Sequence, residues 1–277
     1  MSVYKSIAKN YAANMVGIGI RFLEQIVMVP LFIVVWGVDK YADWILITAF
    51  SSFFTMADMG LNKASMNEFV IKYQQKEYDI CLKLLINTFV YIIMVGSIIV
   101  LSAILISFTG GFKGLLAVSV FSEYETSFVF ILLLFLVFLK MYNGVYFGIF
   151  MAVSRFHISE TIDNVVRLSE ILILATGILS KINITMILAF YVIPSFINVI
   201  YKHIYVQKWF KLRFSFKLID LSLLKSLLKP SFAFILLPLG WAISNQGMIF
   251  VVNALLGSVI LVVFTTTNSM VNFLYSL

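Results

Sequence analysis

Charge is scarce in this sequence. Asp, Glu, Lys and Arg make up only 12% of its 277 residues, about half the share of a soluble domain. Such a chain is neither disordered nor a coiled coil, since both states depend on charged residues. Cysteine is nearly absent. Cys81 stands alone, which excludes an intramolecular disulfide and a cysteine-based metal site. The two histidines, His157 and His203, are too few and too far apart for a histidine metal site. No metal and no cofactor are expected. The sequence also lacks GxxxxGK[ST], HExxH and GxSxG. Their absence removes an ATP-driven pump domain and the common embedded hydrolases, so the chain is not expected to be an enzyme.

Apolar residues are abundant instead. They make up 62% of the chain, with 27 phenylalanines and a mean hydropathy of +1.03. A water-soluble globule of this size could not hide that much apolar surface. Eight apolar runs are long enough to cross a bilayer: 11–36, 43–62, 84–108, 126–149, 160–179, 184–206, 231–252 and 256–277. They are continuous rather than alternating, so they read as helices and not barrel strands. The expected class is all-α, a polytopic transmembrane helix bundle. Arg21 and Glu24 inside the first run, and its length, argue against a cleaved signal peptide.

The net charge of +7 sorts by side. With the N-terminus inside, the inner segments 1–10, 63–83, 150–159 and 207–230, with Lys202 at their border, hold 14 cations. The outer loops hold three, Lys40, Lys113 and Lys181. This bias predicts a cytoplasmic N-terminus, and the cations face membrane lipids rather than nucleic acid. Residues 1–206 read as a first six-helix lobe, 207–230 as a basic cytoplasmic linker, and 231–277 as the first two helices of a second lobe. A shift of 220 residues superposes Lys9 on Lys229, Ala13 on Ala233, Met28 on Met248 and Gly37 on Gly257. Repeats of this kind build many transporters. The chain stops on an apolar run, so a C-terminal truncation is expected.

Ionisable residues within apolar spans are costly unless they face protein or water. In the first run Asn10, Asn14, Gly17, Arg21, Glu24, Gln25 and Met28 recur at steps that put them on one helix face. In the fifth, Glu160, Asp163, Asn164, Arg167 and Glu170 do the same. Asp58 sits late in the second run, and Lys140 and Asn143 late in the fourth. Counted along their helices, Arg21, Lys140, Arg167 and Asp58 lie roughly 6–15 Å below the inner surface. They predict a polar vestibule open to the cytoplasm. Arg21 can pair with Glu24, and Arg167 with Asp163 or Glu170, within their own helices. Lys140 has no acidic partner in its own helix. Arg21, Lys140 and Arg167 are therefore candidate contacts for an anionic ligand. Glu24, Asp58, Asp163, Glu170 and Asn14 are candidate cavity polar or ion-coupling groups. Asn245, Gln246, Asn253 and the 265–269 stretch are expected on the opposite wall. Pro30, Pro194 and Pro238 offer bends, and the Gly144–Gly148 spacing offers close helix contact.

The ordering of these features resembles a known family. Lys9-Asn10-Tyr11-Ala12-Ala13-Asn14 leads into a helix with Arg21, and a Gly37 turn follows. Ala57-Asp58-Met59-Gly60-Leu61-Asn62 closes the second helix ahead of a basic segment. Asn245–Gly257 supplies a further helix and turn. This is similar to the polysaccharide-repeat (O-antigen or capsule) flippases of the multidrug/oligosaccharidyl-lipid/polysaccharide exporter superfamily. The resemblance implies two facing lobes in a bacterial inner membrane. It implies an undecaprenyl-pyrophosphate-linked oligosaccharide carried from inner to outer leaflet, with other polysaccharide-assembly proteins as partners. It further implies that Arg21, Lys140 and Arg167 contact the pyrophosphate or acidic sugars.

Three alternatives stand beside it. A drug/cation antiporter of the same superfamily would depend on a membrane carboxylate such as Asp58. A membrane-embedded glycan-assembly enzyme would need a catalytic constellation. An inactive fragment, or a half that pairs with another chain, would transport nothing alone.

Overall fold

The computed structural model describes residues 3–208 and 218–275. All regular structure among them is helical. The helices are α1 (Val3–Trp36), α2 (Val38–Phe53), α3 (Leu61–Gln74), α4 (Tyr78–Ser107), the short α5 (Phe112–Leu115) and α6 (Glu123–Ala152). They continue with α7 (Phe156–Leu179), α8 (Ile184–Tyr191), α9 (Ile193–Val206), α10 (Leu221–Ala242) and α11 (Met248–Tyr275). The all-α helical bundle is as expected from the sequence.

Among the described residues, five continuous stretches are long and apolar enough to cross a membrane, against eight expected runs: Ile7–Trp36, Tyr78–Ser107, Glu123–Ala152, Ile184–Val206 and Leu221–Asn272, the last covering two of those runs. A sixth arises if α2 and α3, bent by 44°, form one span. α7 fails on composition, because Glu160, Asp163, Arg167 and Glu170 crowd one stretch of it. The last stretch runs for 52 residues and, if straight, would measure about 78 Å, far beyond a bilayer. A π-turn at Ile243–Gly247 and a left-handed Gly257 (φ 81°, ψ 178°) interrupt it. Gly37, its counterpart under the 220-residue shift, has nearly the same geometry (φ 81°, ψ 167°). The two turns touch, for the Ser258 hydroxyl bonds the Asp39 carboxylate.

Within the inner segment expected over 63–83 the chain is helical, since α3 covers Leu61–Gln74, so Lys63 and Lys72 sit on a helix. The cause is Asp58. Met59 and Gly60 turn the chain with φ of 52° and 75°. The Asp58 carboxylate accepts the Gly60 N–H at 3.1 Å and the Asn62 N–H at 3.3 Å, restarting the helix. The segment expected as a linker, 207–230, includes the start of a helix. α10 begins at Leu221 under an Asp220 cap, and Pro230 lies inside it. Asn87 of α4, fully buried, ties down the entry by donating to Leu218 O and accepting the Asp220 N–H. Lys211, Arg213 and Lys217 lie outside the described residues.

α6 is the central pillar. Its Val129–Leu136 side packs with α2, α8 and the Leu116–Phe121 turn, and its Val145–Phe150 side packs with α3 and α4. At Gly144 a Cβ would stand 2.5 Å from Asn62 Nδ2, and at Gly148 3.0 Å from Met66 Cγ. That spacing lets α3 lie close against α6, as the glycine pair predicts. Asp43, 1% exposed, anchors the turn before α6. It accepts the N–H groups of Ser119, Val120 and Phe121 and the Ser119 hydroxyl at 2.6–3.2 Å. α1 and α7 run parallel as a pair, and α7 also packs on α6, α8 and α9. Leu101, Leu105, Leu237 and Leu255 point outward, as a lipid environment requires.

Candidate ionic cavity

α1, α6, α7 and α9 enclose a cavity of about 400 Å³. α1 contributes Arg21 and Glu24, and α6 contributes Lys140 and Asn143. α7 contributes Glu160, Asp163, Asn164, Arg167 and Glu170, while Ser195, Asn198 and Lys202 come from α9. Six of the candidate residues thus meet in one place: Arg21, Lys140, Arg167, Glu24, Asp163 and Glu170.

Two candidates do not join them. Asn14 is exposed and lines no part of the cavity. It shares the helix face of Arg21 but lies about 10 Å away along the axis. Its neighbour Asn10 accepts the His157 N–H at 3.0 Å, which docks the start of α7 on α1. Asp58 lines a neighbouring chamber instead, with its carboxylate engaged by the turn backbone. Nor do the polar residues of the last two helices form an opposite wall. Asn268 and Asn272 donate to Asn245 Oδ1 at 3.1 and 3.4 Å, bonding helix to helix.

The pairing also departs from expectation, because it runs between helices rather than within them. Arg167 donates from Nη2 (2.7 Å) and Nε (2.8 Å) to Glu24 Oε2, joining α7 to α1. Lys202 reaches both oxygens of Asp163 at 2.7 and 2.8 Å, joining α9 to α7. Asn198 Nδ2 donates to the same carboxylate at 2.8 Å. The Ser195 hydroxyl donates to Glu170 Oε1 at 2.6 Å. α9 therefore presents a polar stripe, Ser195, Asn198 and Lys202, on a mostly apolar helix. Lys202 counts as a cytoplasmic border cation in the sequence, yet it is 1% exposed. It sits just before the last turn of α9, and its long side chain turns inward toward α7.

Lining the cavity are four cations and four carboxylates. With two pairs formed, Arg21 and Lys140 remain without a hydrogen bond or ion pair among the described residues. Both are substantially exposed to the open space. Glu160 has no ion-pair partner within 4.0 Å among those residues either. Asn143 Oδ1 and Asn198 Oδ1 are buried acceptors without a donor. For Asn198 the orientation is fixed, since its amide nitrogen must face the Asp163 carboxylate. The site thus offers two cations without a hydrogen bond or ion pair among the described residues, Arg21 and Lys140, beside the unpaired Glu160 carboxylate, and the two cations are suited to an anionic group. Among the described residues no cluster of His, Cys, Asp and Glu is arranged to hold a metal ion.

No family model matches the chain, and neither a curated protein nor a solved structure matches it.

Proposed function

We propose that this chain is a transporter rather than an enzyme, one that moves undecaprenyl-pyrophosphate-linked oligosaccharide repeats from the inner to the outer leaflet. Its setting is a bacterial cytoplasmic membrane, with the N-terminus inside, in the service of surface polysaccharide assembly. The resemblance to the polysaccharide-repeat flippases points to this substrate. The observation that carries the reading is the ionic cavity amid apolar helices, with Arg21 and Lys140 unpaired.

A pyrophosphate-sugar head cannot cross about 30 Å of hydrocarbon unaided. Arg21 and Lys140 replace the water around the phosphates. The Arg167–Glu24 and Lys202–Asp163 bridges bind α1, α7 and α9 into one wall that moves as a unit. Pro30 in α1, the Asp58–Gly60 bend, and Pro238 with the π-turn after α10 provide points of flexure for alternating access. The antiporter reading leans on Asp58, whose oxygens are occupied in capping α3.

The test is reconstitution of the full chain in liposomes with a fluorescent lipid-linked oligosaccharide. Leaflet exchange should accelerate with protein, and Arg21→Ala and Lys140→Ala should each slow it about tenfold, the worth of one charge-assisted contact. Wild-type rates in both variants would sink the proposal.

A further inference from the structure

A second chamber adjoins the ionic cavity at α6. Lys140, Gly144 and Phe147 line both, and the second measures about 700 Å³. That chamber lies between α3, α6 and α10, beside the Asp58–Gly60 bend. Its character is opposite to that of the first. Its surface is mostly apolar, with Met66, Val137, Met141, Phe234, Ile235 and Pro238 among the residues that make it, while Thr55, Lys63 and Asn67 line its edge. Asp58 presents no uncommitted oxygen there, since each bonds a backbone N–H. Asn62 faces α6, where its amide donates to Met141 O at 2.9 Å. The unbranched methionines suit a flexible apolar guest better than a rigid ring system.

An ionic cavity that shares Lys140 with a mostly apolar chamber has the polarity of an amphiphile. The free cations fix the sign of its head. The apolar wall fixes the nature of what is attached to that head. We infer that the two chambers are one bipartite site for a single-chain phosphate amphiphile. The phosphate head rests on Arg21 and Lys140, and the head-proximal hydrocarbon lies in the methionine-lined chamber against α10. This deepens the flippase reading and rests on it. The carrier lipid is held by its chain as well as its head, and α10 becomes part of the substrate site.

The experiment measures equilibrium binding of isopentenyl, geranyl and farnesyl phosphate to the full chain in nanodiscs. Ile235→Trp fills the chamber from α10 without touching the ionic cavity. Comparing variants at fixed chain length cancels partitioning of the ligand into lipid. Ile235→Trp should weaken farnesyl phosphate by about tenfold or more, because several buried methylenes lose their place. It should leave isopentenyl phosphate unchanged. Lys140→Ala should weaken all three. If Ile235→Trp unfolds the protein, shown by exposure of Cys81, Phe234→Trp on the same wall provides the reading. Equal effects of the filling variant on short and long chains, or no effect on either, overturn the inference. The flippase reading survives that result if Lys140→Ala still weakens binding. If no phosphate amphiphile binds in a Lys140-dependent way, both fall.

Discussion

The Lys202–Asp163 bridge makes an asymmetric prediction. The lysine side chain is 1% exposed, whereas the Asp163 side chain is 41% exposed. Removing one partner of a buried pair costs about 3–5 kcal/mol when the survivor stays buried and charged. Asp163→Asn strands the Lys202 ammonium in that position, at about 3 kcal/mol. Lys202→Met strands only a half-open carboxylate that keeps its Asn198 bond at 2.8 Å. Solvent screening brings that loss to about 1 kcal/mol. The double variant removes both charges and should sit within about 1 kcal/mol of wild type. For a chain of this size, melting should drop by about 6–12 °C for Asp163→Asn and about 2–4 °C for Lys202→Met. Cys81 is the only cysteine and is fully buried. Its reaction with a thiol-activated dye during heating therefore reports unfolding directly. If Asp163→Asn proves no more harmful than Lys202→Met, Lys202 is not the buried partner and the reasoning fails.

Other outcomes follow from the same contacts. Asp43→Ala removes the acceptor of four bonds to the 119–121 turn. It should cost about 2–4 kcal/mol and speed proteolysis within 109–122, and an unchanged cleavage rate would count against the anchor. Gly144→Ala forces a Cβ to 2.5 Å from Asn62 Nδ2, whereas a Cβ at Gly240 meets nothing within 4 Å. The first should destabilise by about 1–3 kcal/mol, while the second should be neutral or gain up to about 1 kcal/mol. Equal melting points for the two variants would refute the close approach. The Ser222 hydroxyl and the Leu223 and Ser222 N–H groups hold the Asp220 carboxyl below its ordinary range. Its cap is therefore fully present above the unfolded carboxylate range and is lost as pH falls through the depressed value. The protection of the Ser222 and Leu223 amides against hydrogen exchange, taken relative to the intrinsic rate at each pH, should fall on acidification in wild type, and Asp220→Asn should abolish that dependence.

Much of the cavity was legible in the sequence, for a physical reason. Apolar helices do not tolerate stray charge, so a polar stripe at steps of three and four marks a protected face. That logic brought Arg21, Glu24, Asp163, Arg167 and Glu170 to one cavity with Lys140. It failed where phase alone was used. Asn14 shares the phase of Arg21 but not its depth. Asp58 shows a second failure, because a carboxylate in an apolar run can be satisfied by its own backbone turn. Partner choice was illegible for another reason. Glu24 and Arg167 lie 143 residues apart, and their meeting depends on the axial offset of α1 and α7, which no local spacing encodes. Lys202 was misread because a lysine near a span end usually marks topology. Its signal was the Ser195, Asn198 and Lys202 stripe, spaced three and four within mostly apolar α9.

The most direct test of the account is the side from which water reaches Lys140. In a Cys81→Ser background, Lys140→Cys is exposed to a membrane-impermeant maleimide in vesicles of each orientation. Lys76→Cys and Lys113→Cys serve as markers of the two faces. The account predicts that position 140 labels from the same face as position 76, though it lies deep within α6. Labelling with position 113 alone, or from neither face, would contradict an ionic cavity open to the cytoplasm.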